Sequence, residues 1–314
     1  MEALAALNGG AHLPAEAKLT SVETCWSSWK TKENLQDGKN EKKSGYFVFV
    51  SSDQASVEEP AGSRNWLAGR NAAFTYAEIS ARKKLAEAMR TTVRSSRSAA
   101  VRMFGGDDAP PSLRPVVERL SIADKSLILA DKALDVEIKK FDPKWPGGTD
   151  AQRREAIATE QARIDQSIES STEMFATGAF TVVQCEGPSQ DDGKYYVLTG
   201  LIWTPKLAAI AETIWNPTLT IQREAPQAPI RQQFEAIKAE NADWLAYTMG
   251  ARVFTDENGE RVVVGFGVAP QTSLMPADRS RASLSAMAAI QRFVSERVVA
   301  NRKSDEALRE ARNE

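Results

Sequence analysis

The spacing of apolar residues changes from segment to segment, and those changes outline the elements. Tyr46, Phe47, Val48, Phe49 and Val50 form a short β-rich run that predicts a buried strand. Phe74, Ala77, Ala81, Leu85 and Ala88 then recur at spacings of three and four, the stripe of a helix whose small residues suit close approach to a sheet. Gly105, Gly106, Asp107 and Asp108, followed by Pro110 and Pro111, end that pattern. Val116, Leu120, Leu127, Leu134, Ile138 and Phe141 mark a helix over 116–141, and Asp142 to Gly148 reads as a strong turn. Ile157, Ile164, Ile168 and Met174 mark the apolar side of a polar helix over 150–174. The two helices predict an antiparallel helical hairpin, at about 110–175, inserted into a domain.

Strand spacing returns at 180–184 and 195–203, around a loop with Pro188, Asp191, Asp192 and Gly193, and predicts a β-hairpin. Pro205 opens a short helix through Ile214, since proline fits a first turn. Pro217, Pro226 and Pro229 make 216–229 the expected interdomain linker. Ile230, Phe234, Ile237, Trp244 and Thr248 share a helical face that Gly250 terminates. Residues 252–255 and 261–264 flank Asp256 to Gly259, a hairpin-turn sequence. Asp278 can cap a last helix carrying Leu284, Met287, Val294 and Val298. Residues 1–44 read as a polar tail and 301–314 as a charged tail that frays. The expectation is an α+β protein with two small mixed domains, 45–215 and 230–300, each packing an antiparallel hairpin on helices.

Composition narrows the chemistry. With 40 Lys+Arg against 42 Asp+Glu the net charge is −2, so no global field draws the chain to nucleic acid or membrane. One histidine, His12, and two cysteines exclude Cys₄ and Cys₂His₂ zinc sites and leave His12 as the only histidine base for a nucleophile. No apolar run approaches the length of a transmembrane helix. Met1 to Gly10 does not read as a standard signal peptide, which leaves a cytoplasmic protein or an envelope-associated one whose leader has been removed. Cys25 and Cys185 suit one disulfide in an oxidising compartment and suit two unrelated buried thiols equally well.

Two stretches carry a resemblance: Gly178 to Gln184 followed by Gly193 to Leu207, and Gly250 to Phe266. With the helix over 70–88 they resemble an uncharacterised bacterial family of two-domain proteins that often carry export signals. At the level of helix plus hairpin, that family is similar to the small α/β domains of flagellar H-ring proteins and envelope lipoproteins. The resemblance implies assembly in the cell envelope and no catalytic residues.

No phosphate loop is present, and Asp256 to Gly259 lacks the ligand spacing of a calcium loop. No catalytic, metal or cofactor residues are therefore expected. The segment 82–102 concentrates bases: Arg82, Lys83, Lys84, Arg90, Arg94, Arg97 and Arg102 against Glu87. A solvated helix face explains it, and so does an anionic partner such as an acidic protein surface, lipid headgroups or nucleic acid. Trp26, Trp29, Trp66 and Trp145 fall in segments expected to be loops, where tryptophan suits an interface. The expected partner-binding residues are Arg90, Arg94, Arg97, Trp66 and Trp145. The expected function is a non-enzymatic assembly subunit of a bacterial envelope machine, held in a homo- or hetero-oligomer. The alternatives are a phage-virion or other cytoplasmic assembly component, and a nucleic-acid module using the basic face.

Overall fold

A computed structural model describes residues 21–42, 47–63, 65–95, 118, 131–175, 177–189, 191–216, 218–219, 223–240, 242, 244–269 and 274–295. The expected chain break at Gly105 to Pro111, most of the helix over 116–130, His12, Arg97, Val298 and both outermost tails lie outside these residues. The described residues form an α+β fold with two antiparallel sheets.

The first sheet has four strands: β1 (Gly38–Glu41), β2 (Phe47–Ser56), β3 (Phe180–Pro188) and β4 (Tyr195–Trp203), in the order β1-β2-β4-β3. Helix α1 (Val22–Glu33) packs on one face and the long helix α2 (Trp66–Ser95) on the other. Two helices follow α2: α3 (Asp131–Phe141) and α4 (Asp150–Phe175). Leu134, Ile138 and Ile157 give this pair a small core of its own, edged by Phe141 and Trp145. Beyond β4 come α5 (Pro205–Trp215), α6 (Ile230–Glu240), a 3₁₀ turn (Trp244–Tyr247), the hairpin β5 (Gly250–Thr255) and β6 (Arg261–Phe266), and α7 (Met275–Ser295).

Residues 22–41, read from sequence as tail, are a helix and an edge strand. Ser21 caps α1 by accepting from the Thr24 N–H at 3.3 Å, and Asn34 closes it in the left-handed conformation. Lys30 and Lys32 complement its C-terminal end. Only Val22 and Trp26 of α1 are buried, too few apolar positions to show a helical stripe. Trp26 lies over Gly200 of β4. A Cβ at Gly200 would come 2.3 Å from the indole and 2.5 Å from Val183, so only glycine admits the ring. Trp29 stacks on Trp26 with centroids 5.1 Å apart. The two tryptophans thus sit on a helix, and Trp26 belongs to the core. A disulfide joins Cys25 of α1 to Cys185 of β3 beneath this cover.

Most of the expected stripe of α2 is buried: Phe74, Ala77, Ala81 and Leu85 face the sheet, and Ala88 is half-buried. One apolar cluster draws on both expected domains, joining Trp26, Val50, Val183 and Ile202 to Val253 of β5 and Phe293 of α7. A second cluster, Trp244, Phe254 and Phe266 with Phe234, seats α6 on the other side of the hairpin. Of the apolar residues that mark α7 in the sequence, Leu284 and Met287 are 66% and 64% exposed. Ala289, Phe293 and the expected Val294 are buried instead, with Ala282 and Ala286 half-buried along the inner side. Cβ atoms at Gly265 and Gly267 would meet the Ala286 and Ala282 carbonyls at 2.3 and 2.0 Å, so the helix backbone lies directly on β6.

Candidate functional site

The interior between α2 and the first sheet is unusually polar. Side chains alternate along a strand, so Gln184 and Glu186 of β3 share a face, as do Tyr195 and Thr199 of β4. Arg70, one turn into α2, reaches Glu186 with both arms: Nε to Oε2 at 2.5 Å and Nη2 to Oε1 at 2.6 Å. Gln184 also donates to Glu186, and the Tyr195 hydroxyl donates to Oε2 at 3.2 Å. The same Arg70 Nη2 donates to the Ala246 carbonyl in the 3₁₀ turn, and the guanidinium lies 5.7 Å from the Tyr247 ring centroid. Gln184 Oε1 in turn accepts from the Met249 N–H at 3.0 Å. One network therefore joins α2, β3, β4 and the segment entering β5.

Burial alone would lower the Arg70 pKa, but the hydrogen bond and charge of Glu186 outweigh it and hold it above the ordinary value. Burial, then the Glu186 charge, push the Tyr195 phenol up. Glu186 is surrounded by donors on both oxygens. The arrangement clamps elements together and leaves no carboxylate oxygen facing an open substrate site.

Two turns further along α2, Glu78 is fully buried and accepts from Arg82 Nη2 at 3.2 Å and from Arg292 Nε of α7 at 2.8 Å. Burial pushes its carboxyl up, but Arg292 and Arg82 prevail and keep it below the usual value. Arg82 also donates to the Ala179 carbonyl at 2.8 Å. Arg252 of β5, 1% exposed, completes this group.

These placements change the reading of the basic stretch. Arg82 is an interior residue, so the solvated face begins with Lys83 and Lys84, and Lys84 pairs with Asp53 at 3.1 Å. Arg90 is half-buried on α2. The side chain of Arg94 and the whole of Arg97 lie outside the described residues, so nothing groups the three expected arginines. Trp66 is no loop residue: it begins α2 and meets Tyr195 edge to face with centroids 4.8 Å apart. Trp145 lies in the turn between α3 and α4, half-buried, and donates to Asp135 Oδ1 at 2.8 Å. Arg153 holds the same carboxylate from Nε at 3.0 Å and Nη2 at 2.7 Å. Both expected interface tryptophans thus contact their own fold.

Sequence reasoning missed Arg70, Glu78, Glu186 and Arg252. Arg70 and Glu186 are 116 positions apart, and no local spacing announces their pairing. Among the described residues, no helix is long and apolar enough to cross a membrane, and no group of three or more His, Cys, Asp or Glu is placed to hold a metal ion.

No family model matches the chain, and no curated protein matches it. Among solved structures, the chain is similar to a hypothetical protein from Francisella tularensis, at 16% identity, covering 94% of this chain and 74% of that one, with a TM-score of 0.45. None of these comparisons supports the expected similarity to flagellar H-ring or envelope lipoprotein domains, which is withdrawn.

Proposed function

We propose that the protein is a non-enzymatic assembly subunit that works in an oxidising compartment, the bacterial cell envelope. The observation that carries this reading is the outer face of α7. Leu284 and Met287 are one helical turn apart and largely exposed, and Met275 and Leu274 add apolar surface at the start of the same helix. Isolated chains seldom keep such surface open, and methionine suits an adaptable contact. The Cys25–Cys185 disulfide supports the compartment, because structural disulfides persist where thiols are not kept reduced.

The test has two arms. Sedimentation of the full chain across a concentration series should show a self-associated species, or a complex with envelope extract, that Leu284→Glu with Met287→Glu abolishes while unfolding is unchanged. Trapping thiols in cells that make the protein natively should find Cys25 and Cys185 blocked as a disulfide. A wild type that stays monomeric in both settings removes the assembly reading. Free thiols in the cell would favour a cytoplasmic component instead.

A further inference from the structure

We propose that Arg252 anchors an enclosed site for a small monovalent anion of halide size, shared by β5, β3 and β4. Arg252 Nη1 donates to the carbonyl of its own neighbour, Ala251, at 3.0 Å, while the buried Nε has no partner. Glu78, the nearest carboxylate, already accepts from Arg82 on Oε1 and from Arg292 on Oε2, and it makes no ion pair with Arg252. Thr181 of β3 and Thr199 of β4 are each 0% exposed, and both hydroxyls are buried without a partner.

These groups lie together. Thr181 pairs with Leu201, two positions beyond Thr199 on the same side of β4. A Cβ built on Gly250 would sit 3.1 Å from Phe74 Cζ, 3.2 Å from Thr181 Oγ1 and 3.4 Å from Arg252 Nη1, so the two polar atoms lie beside one point with the Phe74 ring against it. A guanidinium only donates, and a hydroxyl can turn its hydrogen toward an acceptor. Leaving a buried charge without an opposite charge is strongly unfavourable. Burial pushes the Arg252 pKa down to about 9, with Glu78 only partly opposing it, as expected for a cation short of a counter-charge.

What the site lacks is an acceptor carrying negative charge. A halide supplies both and needs no donor in return. Water is the competing occupant. A bound anion would tie the β5–β6 hairpin to the first sheet, so the hairpin's attachment would depend on halide concentration.

The experiment is thermal unfolding of the full chain at fixed ionic strength while bromide replaces gluconate, paired with anomalous diffraction from crystals grown in bromide. The wild-type midpoint should rise and saturate, and a bromide peak should stand within hydrogen-bonding distance of Arg252 Nε. Arg252→Met should lose the response. Thr181→Val keeps the shape and guards against a misfolded Arg252 variant; it should need about tenfold more bromide for half the effect, as one lost charge-assisted hydrogen bond implies. A flat or unsaturating response overturns the proposal. So does an unchanged response in Thr181→Val, or water in place of bromide. A bromide peak without any effect in solution marks an adventitious ion only and overturns it equally.

Discussion

Arg70 and Glu186 meet as a two-armed ion pair, and the arginine uses the same Nη2 to hold the Ala246 carbonyl. The pair is buried, so its members depend on each other more than they stabilise the fold outright. Glu186→Gln, which leaves the Arg70 charge without its opposite, should lower the unfolding free energy by about 3–5 kcal/mol. Arg70→Met with Glu186→Met should cost clearly less than the sum of Arg70→Met and Glu186→Met made singly. Urea unfolding of the four proteins of this cycle checks the point; simple additivity would show that the pair is not coupled.

Gly200 exists for Trp26. Gly200→Val should force the indole off β4 and destabilise the protein by about 1–3 kcal/mol, the usual range for overpacking. Trp26→Phe in the same background should recover part of that loss. Paired denaturation curves decide it, and a silent Gly200→Val would mean that α1 does not sit on this face.

Opening the disulfide should be costly, because it joins positions 160 apart in sequence. Cys25→Ser with Cys185→Ser should lower stability by about 2–5 kcal/mol. Reductant should shift the wild-type curve toward that of the double variant and leave the variant itself unmoved.

Asp135 gives the turn between α3 and α4 an acid-sensitive clasp. Hydrogen bonds from Arg153 and then Trp145 pull its pKa down to about 2, below the ordinary aspartate value of about 3.9. A depressed carboxylate contributes fully above its unfolded pKa and loses that contribution as pH falls through the folded one. The indole N–H resonance of Trp145 should therefore hold its position down to about pH 4 and move as pH approaches 2. Asp135→Asn should abolish that step; a transition near neutrality would contradict the assignment.

The sequence shows the fold better than the site. The run at Phe47 to Val50, the strands around Pro188 and Asp256, and the Phe74-to-Leu85 stripe each carry a period that local geometry imposes. Other elements carry no such signal. α1 buries only Val22 and Trp26, and α7 buries its last turns at Ala289, Phe293 and Val294, while the exposed Leu284 and Met287 imitate a core stripe further up the helix. The sequence pattern places Trp66 in a loop because the helix begins on it, ahead of the first residue of its stripe. The buried charges were invisible for a different reason. A lone arginine or glutamate looks solvent-facing until tertiary structure brings its partner, and Glu78 and Arg292 lie 214 positions apart.

The Cys25–Cys185 bond also closes a covalent ring. Helices α2, α3 and α4 and the strands β1 and β2 are strung on that ring, while β4 to α7 hang from it as a branch. A single peptide cut between residues 25 and 185 would linearise the ring without separating any fragment under denaturing, non-reducing conditions. A cut beyond 185 would release the branch at once. The α3–α4 pair can therefore be severed without dividing the molecule, a tolerance that the chain beyond residue 185 does not share.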